Sequence, residues 1–158
     1  MVTIGLNVNG TQQLSRTLAR WANAMIDLRP AFEIVATEFA RMELSQFATQ
    51  GAISKDPWTA LSPRYAARKA RTHPGAPILV RSGDLRRDLT RRPFGVEEIT
   101  SDSMRLGTTL PYARYHQTGT PRMPRRPPVN LTEYQRQKLV KIVQDHIVAG
   151  SATQPRAR

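Results

Sequence analysis

Histidines, paired carboxylates and a serine before a glycine are the residues that could carry chemistry in this chain. The histidines are His73, His116 and His146. None lies within four residues of another, and no H-x-x-x-H or H-E-x-x-H spacing occurs, so they do not form a metal-binding motif. Ser82-Gly83-Asp84 lacks the glycine that G-x-S-x-G requires two residues before the serine. It reads as a turn opening a strand or a helix. Glu97 and Glu98 are adjacent on an expected strand, where neighbours point to opposite faces. They cannot act as a close carboxylate pair. His116 remains. It sits in "YARYHQTGTPRMPRRPP", residues 112–128, and residues 111–132 contain no acid to orient it. A general base needs such a partner or a well-placed substrate. His116 therefore reads as a loop brace bonded to a backbone carbonyl, and no catalytic, metal or cofactor residue is assigned.

The same stretch mixes Arg122, Arg125 and Arg126 with Tyr112 and Tyr115. Interleaved cations and aromatics suit nucleic-acid binding. Pro121, Pro124, Pro127 and Pro128 also stiffen it into an extended form that loses little entropy on docking. An arm gripping a neighbouring protein is the competing reading. The whole chain leaves that choice open. Lys and Arg number 24 against 12 Asp and Glu, for a formal charge of +12. Such a surface attracts nucleic acid through counterion release or an acidic protein through complementarity. Arginine outnumbers lysine, which favours bidentate contacts with carboxylate or phosphate.

These residues must be held by a chain of 158 residues, the size of one domain. The reading is a single domain over residues 1–150 and a basic tail over 151–158. Hydrophobic residues make up 39 % and aromatics 6 %, so a modest, aliphatic core is expected, completed against neighbours. No cysteine is present, which excludes disulfides and cysteine zinc sites. The N-terminus does not read as a secretory signal. No apolar run approaches the roughly 20 residues that span a bilayer. A soluble protein made in a reducing cytoplasm, without membrane contact, is the expectation.

Val2, Ile4, Leu6 and Val8 alternate as in a half-buried strand. Thr11 could cap the next helix, whose apolar face is Leu14, Leu18, Trp21, Met25 and Leu28. Phe32, Val35, Phe39, Met42 and Phe47 continue the spacing past Pro30, as one kinked helical region or two helices. Residues 49–60 read as an exposed excursion, and Ser62-Pro63 as the start of a short basic helix. A meander of strands is expected near 86–92, 95–100 and 103–109, which the N-terminal strand could join. Residues 111–129 read as mostly irregular. Asn130 and Glu133 have capping-box spacing before a last helix with Leu139, Ile142, Val143 and Ile147 on its apolar stripe. The fold class is α+β: a small antiparallel β-sheet flanked by N-terminal and C-terminal helices.

Four segments in this order resemble the virion morphogenesis, or tail-completion, proteins of tailed bacteriophages of the Mu-like and P2-like type. The first is Gly51, then Trp58, Leu61 and Ser62, then Lys69. The second is Ile78, Leu79, Ser82, Gly83 and Leu85. The third is Gly107, Tyr112, Ala113, His116, Gln117 and Gly119. The fourth is Met123, Pro124, Arg126 and Pro127. The likeness runs over about residues 30–148, and departs from the family at Pro128-Val129-Asn130, where an aromatic and a leucine are usual. It implies an α+β structural protein without catalysis, acting late in tail assembly at the head–tail junction of the virion. It implies a homo-oligomeric ring, expected to be sixfold, between the tail terminator or tail tube and neck or connector proteins. A weak, non-specific contact with DNA is compatible with it. On this reading Arg122, Arg125, Arg126, Tyr112 and Tyr115 meet a neighbouring subunit or partner. His116, Gln117, Gly119, Trp58, Ser82 and Gly83 brace the fold internally.

Overall fold

The computed structural model describes residues 10–149. The strand expected over residues 2–8 and the tail over 151–158 lie outside them. Helix α1 (Gly10–Ile26) is followed by α2 (Arg29–Ala48). These are two helices, separated at Asp27 and Leu28. Pro30 sits in the first turn of α2, where its missing N–H costs nothing. The break is fixed by the Leu28 amide, which donates to the Ser101 carbonyl at 2.8 Å. Helix α1 already includes Gly10, so Thr11 stands inside it rather than at its cap.

A short 3-10 turn (Ala52–Ser54) leads to α3 (Pro63–Thr72), which starts at Ser62-Pro63 as its sequence predicts. Helix α4 (Asp84–Thr90) occupies the place of the first expected meander strand. Leu85 and Leu89, four residues apart, both turn into the core, a helical spacing that the short window disguised. Only two strands follow among the described residues, β1 (Val96–Ile99) and β2 (Met104–Gly107). They pair antiparallel with Val96 opposite Gly107 and Ile99 opposite Met104. Helix α5 (Ala113–Thr118) then replaces the expected irregular stretch, and α6 (Glu133–Ala149) closes the chain. The class is α+β, with helices flanking a two-stranded antiparallel sheet.

Helix α6 is capped two residues later than Asn130 implied. The Thr132 amide donates to Gln135 Oε1 at 2.8 Å, and the Gln135 amide donates to Thr132 Oγ1 at 3.2 Å. That reciprocal pair is a capping box. Asn130 instead turns its amide toward Ser54 Oγ, 3.3 Å away.

Helix α2 is the spine. Its middle, Ala36 and Phe39, packs with Phe94, Ile99, Met104 and Leu106 of the hairpin. Its end, Phe47, packs with Trp58, Leu85 and Leu89. Val129 borders both clusters, so the departure at residues 128–130 fills the core seam. All four phenylalanines and Trp58 are buried. The core is therefore mixed, with these rings set among the aliphatic side chains of Ala31, Val35, Ala36, Leu85 and Leu89 and with Met42. Phe39 meets Phe94 edge-on at 5.6 Å, and Phe47 meets Trp58 edge-on at 5.3 Å. Such pairs add to plain area burial. Helix α6 lies along α2 and touches α1.

Candidate partner-binding site

The 49–60 excursion and the 119–128 strap, far apart in sequence, form one laced unit. Most of the excursion is exposed as its composition implied, Ala52, Ile53, Lys55, Pro57, Thr59 and Ala60 among them, but Trp58 is 6 % exposed and tucks inward. Its Nε1–H donates to the Pro127 carbonyl at 2.9 Å. The Gln46 side-chain amide donates to the same oxygen, and Ser54 Oγ donates back to Gln46 Oε1 at 3.0 Å. Gly51 makes the excursion's entry turn at φ 88°, and a Cβ there would lie 2.5 Å from the Asp56 carbonyl oxygen. Only glycine fits.

The strap turns back on α5 in the same way. Gly119 adopts φ 77°, and its absent side chain leaves room for the Arg125 backbone 3.0 Å away. Thr120 and Met123 exchange both backbone hydrogen bonds, which closes the hairpin tip. The Arg126 amide then donates to the His116 carbonyl at 2.9 Å. Gln117 grips Val129 twice: Nε2 donates to its carbonyl at 2.8 Å, and Oε1 accepts from its amide at 3.3 Å.

Within this frame the expected contact residues divide. Arg126 is drawn inward and is 6 % exposed. Its Nε donates to the Thr59 carbonyl at 2.6 Å and its Nη2 to the Ala60 carbonyl at 2.9 Å. Its guanidinium is occupied within its own chain, because the prolines fold the strap over the excursion instead of projecting it. Arg125 is half exposed and pairs with Asp56 at 2.8 Å. Arg122 is exposed and makes no ion pair among the described residues. Tyr112 and Tyr115 are 40 % and 42 % exposed, and the Arg114 guanidinium stacks over the Tyr115 ring at 4.6 Å.

The bracing residues also divide. Gln117, Gly119 and Trp58 hold the strap as described. His116 braces through its main-chain carbonyl, whereas the Nδ1 of its ring is buried without a partner among the described residues. Burial and the nearby Arg126 charge push the imidazole pKa below its ordinary value. Its ring meets Tyr112 edge-on at 6.2 Å. Ser82 Oγ donates to Asp84 Oδ2 at 2.6 Å, and Gly83, at φ 92°, begins α4.

All four motif segments border one cleft of about 920 Å³ between α3, the 78–85 loop and the strap. Leu79, Leu85, Leu110 and Met123 supply apolar lining, and Tyr65 and Tyr112 supply aromatic surface. Lys69 is 6 % exposed on its wall and donates its ammonium to the Pro77 carbonyl. Burial lowers its pKa. Leu79 holds φ 59°, a strained geometry for a branched side chain and one that tends to mark functional sites. Sequence reasoning missed Gln46, Asp56 and the Thr59 and Ala60 carbonyls. Backbone acceptors have no residue signature, so no pattern could have shown the last two. Among the described residues no three His, Asp or Glu side chains cluster as metal ligands. No helix there is long and apolar enough to cross a membrane.

The fold and cleft define a small basic α+β protein whose bracing converges on one open groove. The chain belongs to the phage virion morphogenesis family, whose profile matches residues 9–148. No curated protein and no solved structure matches it. The family carries a role in building phage particles, so this is a bacteriophage assembly protein associated with the virion.

Proposed function

We propose that the chain is a tail-completion component of the head–tail junction. Copies close into a ring, sixfold by expectation, that joins the tail terminator or tail tube to neck proteins. One observation carries this reading. Leu14, Leu18, Trp21 and Met25 follow helical spacing on α1, yet they are 59 %, 50 %, 40 % and 53 % exposed. An apolar stripe this continuous is a surface for another protein. Covering the open half of each such side chain contributes on the order of 1 kcal/mol. Tyr115, Arg122 and the open half of Arg125 add polar contacts, while Arg126 serves as an internal brace.

Particles assembled without this protein test the reading. The expected product is filled heads and complete tails that fail to join stably, seen by electron microscopy. Supplying the wild-type protein restores joining. Supplying Trp21→Asp does not, although its unfolding midpoint matches the wild type. Normal particles in its absence would remove the assignment.

Non-specific nucleic-acid binding is a second reading, and α3 favours it. Arg64, Arg68 and Arg71 are exposed at helical spacing and make no ion pair among the described residues. If they neutralise phosphates, the log of duplex affinity falls with log salt by about 0.9 per phosphate. Replacing all three with alanine then flattens that slope by two to three units, roughly. An unchanged slope removes α3 from any DNA contact.

A further inference from the structure

The cleft holds more positive charge than its own chain neutralises. Lys69, Arg81, Arg122 and Arg126 line it, and none forms an ion pair among the described residues. The acid on its wall, Asp84, is already bonded to Ser82 and paired with Arg87 at 3.1 Å. Lys69 and Arg126 are each 6 % exposed, and their side chains have only carbonyl oxygens as partners among the described residues. A cation removed from water and met only by neutral acceptors is incompletely compensated. His116 adds a buried Nδ1 with no partner on the same wall. Below these groups the floor is apolar, with Leu79, Leu85, Leu110 and Met123.

We propose that this cleft receives an extended acidic segment of a partner virion protein, seating an apolar side chain on the floor and carboxylates against the cations. Charge complementarity selects the occupant. A second copy is a poor source, because the chain carries only 12 acids against 24 basic residues. Many of those acids are already engaged in ion pairs, among them Glu33, Glu38, Glu97 and Asp56. Duplex DNA is a poor occupant as well. Its phosphates reach exposed cations, whereas Lys69 and Arg126 lie inside beside aliphatic side chains. Carboxylates on a narrow peptide can reach the wall and form charge-assisted bonds there. The proposal names a partner chemistry for this surface and does not depend on ring formation or on a place at the junction.

Fluorescence anisotropy with the full chain tests it. The probe is a short labelled peptide alternating glutamate and leucine. Saturable binding is expected, weakened about tenfold or more by Arg122→Glu or by Arg81→Glu. Both side chains are exposed, so unfolding midpoints should stay at the wild-type value. Arg105→Glu, on β2 outside the cleft, should leave binding unchanged. A glutamate–serine peptide binds more weakly, and a lysine–leucine peptide does not bind. The proposal is overturned if the glutamate–leucine peptide fails to bind, or if Arg105→Glu weakens it as much as the cleft variants. Oligothymidylate binding as tightly, with the same dependence on Arg122 and Arg81, would reassign the cleft to nucleic acid. Particle joining is read separately, so either proposal can fail alone.

Discussion

Trp58→Ala is expected to lower the free energy of unfolding by about 3–5 kcal/mol, the range for removing a large buried aromatic. Trp58 stands at the junction of the core and the laced strap. Its ring packs edge-on against Phe47, beside Leu85 and Leu89. Its indole N–H is one of two donors to the buried Pro127 carbonyl. Alanine leaves a cavity and removes one of those donors. Trp58→Phe separates the two effects. It keeps a ring against Phe47 but loses the donor and part of the indole's volume, so a cost of about 1–2 kcal/mol is expected. Urea denaturation gives both values. If the alanine and phenylalanine variants proved equally stable, packing against Phe47 would not be what holds this corner.

Glu43 provides the second large effect. It is 1 % exposed on α2, and its Oε2 has no hydrogen-bond partner among the described residues. Burial pushes its pKa up from 4.5 to about 8. Between those values the folded chain keeps a proton that the unfolded chain has released. Stability therefore falls as pH rises through that window, and the loss levels off above the folded value. At about 1.4 kcal/mol per unit of pKa difference, the penalty at neutral pH is on the order of 3 kcal/mol. Glu43→Gln removes the ionisation and nearly keeps the shape. The variant should match the wild type near pH 4 and exceed it increasingly toward pH 8. Denaturation midpoints across that range read the difference. Parallel pH profiles for the two proteins would show that Glu43 is not titrating in this way.

Periodicity made α2, α3 and α6 visible, because each presents several apolar or capping signals over at least two turns. Helices α4 and α5 are too short for that. Leu85 and Leu89 give α4 only two core positions, and the surrounding arginines and Thr90 resemble alternation. Helix α5 was hidden by the prolines on either side. Within the site, the family resemblance marked Gly119 and Gln117 only as braces; the turn at Gly119 and the pair of hydrogen bonds from Gln117 to Val129 are features of the fold. The inward turn of Arg126 was not legible, because its fate depends on the Thr59 and Ala60 carbonyls, more than 60 residues earlier in the chain. Trp58 was recognisable as a bracing residue through its motif, but its neighbours suggested a solvated loop. Local composition reports on the segment, whereas burial was decided by what folds across it. The open stripe on α1 carries the same lesson reversed. Its spacing announces an amphipathic helix, and spacing alone does not say whether the chain itself covers the apolar face.

The lacing between excursion and strap is asymmetric in chemistry. Most of its receiving ends, at Thr59, Ala60, His116 and Pro127, are peptide oxygens, which every amino acid possesses, with the Asp56 carboxylate that pairs with Arg125 the side-chain exception between excursion and strap. Its side-chain giving ends, Gln46, Trp58 and Arg126, are particular side chains with a required reach. Mutational drift at Thr59 or Ala60 can therefore proceed while the knot stays tied, whereas replacing a giver cuts a strand of it. A saturation library scored for folded protein would show that split as permissive and intolerant columns facing each other across the same bonds.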